Sequence, residues 1–168
     1  MLEATQLNKD KLDHRKLDHT WIAAHIPHQG SMCLLDKVDT WDQEKISCRA
    51  SSHHHIDNPL RAHDQLGITC GIEYAAQAMA VHGALLAPSD SERPRVGYLV
   101  SVRSVNMHAT RLDDIAQDLF ITASCIMASE SNMLYQFNVS ADGKMLLEGR
   151  AAVVLNADTL EINLGAPT

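Results

Sequence analysis

Six short stretches of the chain, rich in apolar and β-branched residues and bounded by polar turns, have the length and composition of β-strands. Two precede the longest helical pattern of the chain, and four follow it. The predicted strands are Cys33–Trp41, Lys45–Ala50, Val96–Val105, Asp118–Ser129, Met133–Ser140 and Met145–Leu155. Asp142-Gly143, between the last two strands, is typical of a tight hairpin turn.

The helical pattern GITCGIEYAAQAMAVHGALLAP, residues 67–88, is apolar nearly all round and rich in small residues. A helix of this kind must be buried on most of its faces. Thr69 is the predicted cap at its start, and Gly83 with Pro88 brackets its end. Two strands, one buried helix and four strands predict an α+β fold in which an antiparallel β-sheet wraps around one long central helix.

The remaining segments divide the chain into one domain and two ends. Residues 1–20 are polar and charge-rich, which predicts a flexible or helical arm. Residues 21–156 are predicted to form a single domain, and residues 157–168 a loose tail. Trp21 to Ile26 predict one helical turn that Pro27 ends. The polar stretch SSHHHIDNPLRAHDQL, residues 51–66, predicts a long loop of the kind that often carries function.

Composition narrows the class of protein. The net charge of −7 argues against a nucleic-acid partner. No apolar run approaches the roughly 20 residues that span a bilayer, and the first residues lack the apolar segment of a signal peptide. The four cysteines form no CxxC pair, which favours free thiols and a cytoplasmic location.

Glu73 is a carboxylate in the first turns of the otherwise apolar helix, four residues before Gln77 and on the same helix face. A carboxylate on a buried helix is costly unless it is paired or its pKa is raised. It is therefore a candidate acid–base group, and the alternative is a helix-start glutamate that complements the helix dipole.

Histidine is abundant, with 10 residues. His53, His54 and His55 are consecutive, but three consecutive side chains of an extended chain cannot all face one ion, and no Cys or acidic residue has matching spacing. The sequence therefore predicts no metal site. Cys70, beside the helix start, is interpreted as a small buried side chain rather than a reactive thiol.

Four stretches, in order, resemble the hotdog-fold β-hydroxyacyl-acyl-carrier-protein dehydratases. The resemblance covers roughly residues 21–155, and the GIEYAAQ helix start is shared with the dehydratase-like branch of bacterial aryl-polyene pathways. The stretches are Ile26-Pro-His-Gln-Gly-Ser-Met-Cys-Leu-Leu-Asp-Lys-Val38, Gly71-Ile-Glu-Tyr-Ala-Ala-Gln77, Gly97-Tyr-Leu-Val-Ser-Val-Arg103 and Gly143-Lys-Met-Leu-Leu-Glu-Gly-Arg150.

The resemblance implies dehydration of a β-hydroxyacyl thioester carried on acyl carrier protein or coenzyme A, with no further cofactor. In such an enzyme a helix carboxylate, here Glu73, works with a histidine that the facing subunit of a dimer contributes. Groups near the helix start hold the substrate and its thioester carbonyl. The corresponding substrate-binding positions here are Ile68, Thr69, Gly71 and Gln77.

The chain departs from the family pattern at the histidine. The position fourteen residues before Glu73 is Pro59, next to Asn58, and Gly67-Ile68 stands where the family has Pro-Gly. The loop candidates for the catalytic histidine are His53, His54, His55 and His63, of which His63, ten residues before Glu73, is favoured. Asn58 is the candidate for positioning a hydroxyl or a water. His28 matches a Pro-His loop in which the family's histidine is more structural than chemical.

Arg103, with Arg93 and Arg95, is the expected contact for an acidic carrier protein or for the phosphate of phosphopantetheine. Four hypotheses remain open at this point. The chain is a homo-oligomeric dehydratase, one half of a dehydratase whose histidine comes from a second hotdog subunit, a non-catalytic acyl or carrier-protein binding module, or an acyl thioesterase. Fold alone does not choose among them.

Overall fold

A long helix, α2, lies against a six-stranded antiparallel sheet in this computed structural model, which describes residues 17–88 and 96–155. The strand order in the sheet is β1-β2-β4-β5-β6-β3. The elements are α1 (His19–His25), β1 (Lys37–Trp41), β2 (Lys45–Ala50), α2 (Gly71–Leu86), β3 (Gly97–Met107), β4 (Leu119–Ala128), β5 (Asn132–Ala141) and β6 (Lys144–Leu155). Short 3₁₀ turns occupy Gly30–Met32, Ser52–His54 and Ile68–Cys70.

The predicted α+β architecture, with two strands before the helix and four after it, is confirmed. The hairpin between β5 and β6 turns at Asp142 and Gly143, whose φ angles of 49° and 70° are those of a type I′ turn. The first strand begins later than predicted, at Lys37 rather than Cys33. The N–H of Leu34 bonds to the side chain of Gln77 instead of a neighbouring strand.

The start of α2 also differs from the prediction. Thr69 does not cap it: the N-cap residue is Cys70, and no side chain bonds to the first turn. The 3₁₀ turn Ile68–Cys70 leads directly into the helix, which is a common way to satisfy backbone groups at a helix end. Gly71 packs closely on β6: a Cβ at this position would lie 2.8 Å from Leu147 Cδ2, and that side chain would have to shift.

The core lies between α2 and the sheet. Tyr74, Ala75, Ala78 and Val81 of the helix are completely buried. Their partners from the sheet are the inward side chains of the central strands, among them Ile46, Ile121, Phe137, Val139 and Leu147. The packing leaves the start of α2 and the loops around it in one fixed position.

The long loop before α2 is held by buried hydrogen bonds. The Asn58 amide donates to Ser52 O at 3.0 Å and to the Tyr74 hydroxyl at 3.1 Å, and the Ser52 hydroxyl donates to Leu34 O at 2.8 Å. Asn58 and Ser52 therefore hold the loop against the helix through hydrogen bonds. All the polar atoms in this network find partners, which is the condition for burying them without loss of stability.

A second attachment joins the loop to the segment between β3 and β4. Asp113 accepts hydrogen bonds from Arg111 and from the N–H of Leu66. Arg61 completes the cluster, with its Nη2 atom 3.5 Å from Asp113 Oδ2. The hydrogen bond from Arg111 is the largest cause that holds the pKa of the Asp113 carboxyl far below its ordinary value. The negative charge is therefore present at any pH near neutrality.

β3 forms one edge of the sheet, and its first half exposes large apolar side chains. Val96, Tyr98, Leu99 and Val100 are 40 to 53% exposed. A long edge strand with exposed apolar residues on both faces is typical of a surface that another chain covers.

Several predicted regions lie outside the described residues: residues 1–16 of the arm, the tail 157–168, Arg93 and Arg95. Within the described part, Leu17 is fully buried and its carbonyl accepts from the N–H of Val38, so the packed domain includes residues before Trp21. The four cysteines are free. Over the described ranges, neither helix has the length and hydrophobicity to cross a bilayer.

Candidate active site

A cavity of about 330 Å³ lies between α2, the segment that follows α1, and the ends of β3, β5 and β6. Its walls are mostly apolar, with small residues on the helix side. The helix contributes Glu73, Ala76, Met79, Ala80, Gly83 and Ala84, and the polar side chains around the cavity are Glu73, His25, His28, Tyr98 and Tyr135.

Glu73 and His28 meet in this cavity. His28 Nε2 lies 3.1 Å from Glu73 Oε1, and the two side chains are 25% and 30% exposed. Helix α1 ends at His25, and the C-cap residue Ile26 has the extended backbone that a following proline favours. Pro27 therefore stops the helix and places the next residue, His28, against the start of α2.

Gln77 fixes the carboxylate from the other side. It is fully buried, and its amide nitrogen donates to Glu73 Oε1 at 3.0 Å and to Met32 O at 2.7 Å. Its amide oxygen accepts from the N–H of Leu34 at 2.8 Å. One side chain thus ties the loop before β1 to α2 and orients Glu73.

The surroundings of Glu73 keep it ionised. Burial raises the pKa of the carboxyl, but hydrogen bonds from His28 and Gln77, with the charge of His28, lower it, and the net shift is downward. Both hydrogen bonds go to Oε1. Within the described chain, Oε2 is left without a hydrogen-bond partner, so a base with an open lone pair faces an apolar cavity.

His28 has one usable nitrogen in this arrangement. Its Nδ1 is buried and has no hydrogen-bond partner among the described residues. Its Nε2 donates to the carboxylate. This contact joins two motifs that the sequence analysis treated separately, the Pro-His loop and the helix carboxylate. The signal that could have found it is the proline directly before the histidine.

The predicted catalytic residues His63 and Asn58 lie away from the cavity walls. His63 is exposed on a tight turn with a positive φ of 51°. Asn58 is buried, and its amide groups bond to Ser52 O, the Tyr74 hydroxyl and the N–H of Leu60. Among the described residues, the histidine that reaches Glu73 is His28.

The predicted substrate-binding residues also differ in where they lie relative to the cavity and to Glu73. Gln77 contacts Glu73 but uses its amide groups within the chain. The backbone N–H of Ile68 donates to Thr110 O, and Ile68, Thr69 and Gly71 do not line the cavity. Arg103 is exposed on β3, in register with Arg150 of β6. Substrate binding by these residues stays a prediction.

The consecutive histidines His53 and His54 contact the segment between β3 and β4. The ring centroids of His53 and His54 lie 3.8 Å apart with their planes tilted by 41°, and both Nε2 atoms hydrogen-bond to Ile115 O, at 3.1 and 2.6 Å. His53 is completely buried, and burial lowers its pKa. In the part of the chain that the structure describes, no group of three or more His, Cys, Asp or Glu side chains has the geometry of a metal site.

Known structures share this fold. The dehydratase heterocomplex ApeI:P from Xenorhabdus doucetiae matches with a TM-score of 0.70 and 21% identity over 80% of this chain and 90% of that chain. A mutant thioesterase from Pseudomonas aeruginosa matches with a TM-score of 0.53 and 14% identity over 71% and 79%. A mutant thioesterase from Staphylococcus aureus matches with 0.54 and 13% over 71% and 91%.

The likeness to these dehydratases and thioesterases confirms the hotdog fold that the motifs predict. No curated protein matches the sequence significantly. A family model described as ApeP dehydratase matches residues 20–163, which include α2, the whole sheet, His28 and Glu73. The chain therefore belongs to the ApeP-like dehydratase family.

Proposed function

We propose that this chain dehydrates β-hydroxyacyl thioesters, with Glu73 as the base that takes the α-proton. The observation that carries the proposal is the ionised Glu73, held by His28 and Gln77 at the wall of an apolar cavity. His28 is a positioning residue in this scheme, because it acts through the carboxylate. The family membership supports the reaction class, and the substrate is part of the proposal.

The chemistry requires few groups. The thioester carbonyl acidifies the α-hydrogen, a base removes it, and the β-hydroxyl departs as water. Glu73 Oε2 is free to act as the base, since both hydrogen bonds to the carboxylate use Oε1. Ala76, Ala80 and Gly83 keep the helix side of the cavity open, which suits an extended acyl chain.

The acyl chain would arrive on the phosphopantetheine of an acyl carrier protein or on coenzyme A, with no other cofactor. Arg103 and Arg150 support an anionic carrier. They face each other in register across β3 and β6, both are exposed, and neither has an ion-pair partner among the described residues. The free cysteines fit a cytoplasmic setting.

We further propose that the chain works with a second hotdog subunit. The exposed apolar half of β3 is at the sheet edge and borders the cavity, so a partner strand there would close both. The related structure from Xenorhabdus doucetiae is a heterocomplex. Two copies of this chain are the alternative assembly, and size-exclusion chromatography with and without a co-expressed dehydratase-like subunit distinguishes them.

The experiment compares wild type with Glu73→Gln on a β-hydroxyacyl thioester, following enoyl product and free thiol in the same samples. We expect enoyl formation that falls about 100-fold or more in Glu73→Gln, the range for loss of an acid–base group. Glu148→Gln, a partly exposed glutamate on β6 away from the cavity, is the control.

Full activity of Glu73→Gln would contradict the assignment of the base. Release of thiol in place of enoyl product would establish the thioesterase alternative, because only hydrolysis frees the thiol. Binding of the acyl thioester without either product would establish the non-catalytic module.

A further inference from the structure

A second histidine, His25, lines the same cavity as His28 and Glu73. It is the last residue of α1 and is exposed. Among the described residues, no hydrogen bond joins its ring to Glu73 or to His28. It is therefore a separate titratable group in the cavity.

The ring of His25 is held in one orientation. Its Nδ1 lies 2.7 Å from Trp21 O, and a carbonyl oxygen only accepts, so Nδ1 carries a hydrogen. The ring also stacks on the indole of Trp21, with centroids 3.8 Å apart and planes at 10°. Within the described chain, this leaves Nε2 without a partner and available to a molecule in the cavity.

The dehydration needs two proton transfers, and the Glu73–His28 pair serves only one of them. The two side chains share a single hydrogen bond, so they form one acid–base unit. The other nitrogen of His28 is buried. Hydroxide is a poor leaving group and must be protonated as the C–O bond breaks. The second transfer therefore needs another donor, which is either a residue at the wall of this cavity or the histidine that the resemblance expects from the facing subunit.

We propose that His25 is the catalytic acid that protonates the departing β-hydroxyl, an inference that rests on the proposed dehydration. Glu73 takes the α-proton, and the C–H electron pair becomes the Cα–Cβ double bond. The C–O pair leaves with the oxygen, which takes the Nε2 proton of a protonated His25 and departs as water. Transfer of the proton from Glu73 to His25 through solvent restores both groups.

The test compares two substrates that differ only in the leaving group, a β-hydroxyacyl and a β-fluoroacyl thioester. Fluoride leaves without a proton, so its elimination needs the base but not the acid. His25→Gln keeps an amide donor for Trp21 O and removes the ionisable proton. His19→Gln is the matched control, because His19 is also exposed on α1 with Nδ1 bonded to a carbonyl, Leu35 O, at 2.9 Å, but lies outside the cavity.

We expect His25→Gln to slow water elimination about 100-fold or more and to leave fluoride elimination and α-hydrogen exchange in deuterated water near wild type. His19→Gln should change none of these rates. An equal loss with both leaving groups would assign His25 a structural role and overturn the proposal, as would an unchanged rate of water elimination.

The same assay separates failure of this inference from failure of the proposed function. Wild-type protein, alone or with its co-expressed subunit, that eliminates neither water nor fluoride would overturn the dehydratase function, and the role of His25 with it. Wild-type protein that eliminates both, together with an unaffected His25→Gln, would overturn His25 alone.

Discussion

Two histidine contacts in this protein, the cavity pair of His28 with Glu73 and the loop pair of His53 with His54, look alike in outline and differ in their partners. In the cavity, an imidazole meets a carboxylate, and both side chains are partly exposed. In the loop, two imidazoles bond to one backbone carbonyl, Ile115 O, and His53 is fully buried.

The difference shows what a histidine needs for acid–base work. Burial lowers the pKa of His53 and keeps it neutral, and its ring holds the loop after β2 to the segment before β4. Glu73 is kept charged, with one oxygen open to a cavity. His53 uses its Nε2 to bond a backbone carbonyl within the fold, whereas Glu73 keeps one oxygen of a charged group free to react.

The largest effect on turnover should come from replacing His28 by phenylalanine, with the same replacement at His54 for comparison. His28→Phe removes a hydrogen bond from the Glu73 carboxylate and leaves it misoriented, so dehydration should fall about 100-fold. His54→Phe changes the exposed member of the loop pair and should leave turnover close to wild type. Turnover of acyl thioester by the two purified variants checks the comparison, and an active His28→Phe protein would contradict it.

Removing the amide that orients Glu73 should cost stability as well as activity. Gln77→Met leaves Met32 O and the N–H of Leu34 buried without partners, so the free energy of unfolding should fall by about 3 kcal/mol. Gln136→Met, at an exposed position on β5, should change it by less than about 0.5 kcal/mol. Urea unfolding measures both, and equal midpoints would refute the buried network.

Lowering the pH should reduce the stability of the fold through the buried histidines before it changes the charge of Glu73. Folded His53 stays neutral while the unfolded chain binds a proton at the ordinary histidine pKa of about 6.5, so stability should fall as the pH drops below that value towards the lowered pKa of His53. His82, whose pKa burial also lowers, adds to the same trend.

The groups that face His53 are His54, which opposes its protonation, and Asp118, which favours it. Replacement of His53 by Gln should flatten the dependence of the urea midpoint on pH between about 7 and 5, an interval that includes the ordinary histidine pKa of about 6.5. An unchanged slope would show that His53 does not contribute. The Glu73 carboxylate, with its lowered pKa, should keep its charge throughout.

The smallest effect is expected at His63. It is exposed at a φ of 51°, a conformation that asparagine tolerates well. His63→Asn should leave turnover unchanged and the free energy of unfolding within about 0.5 kcal/mol of wild type. A tenfold loss of turnover would instead show that this loop histidine reaches an active site in the assembled protein.

The six strands, the central helix and the hairpin at Asp142 were predictable because each depends on near neighbours in the sequence. The position of Glu73 on the same face as Gln77 follows from helical spacing in the same way. The cap at Thr69 was predicted wrongly, because a 3₁₀ turn enters the helix there. Local preferences are weak against the packing of Gly71 on Leu147.

The site itself was predictable only in part. The carboxylate was identified, but its contact with His28 was not, because the two residues are far apart in the chain and meet only when the Pro-His loop packs on α2. The same packing leaves His63 outside the lining of the cavity that contains Glu73, although His63 is closer to Glu73 in sequence than His28 is. Distance along the chain says little about which side chains meet across a folded core.

By itself, the sequence determined the α+β architecture and the carboxylate on an apolar helix, since strand and helix patterns reflect local backbone preferences and burial. Only the tertiary structure decided which histidine meets that carboxylate and which histidines are locked in the core. The physical reason is that hydrogen bonds between distant segments form only after the sheet and helix have packed. The ten histidines of the sequence are the same residue type, and those that the structure describes are distinguished by their surroundings in the fold.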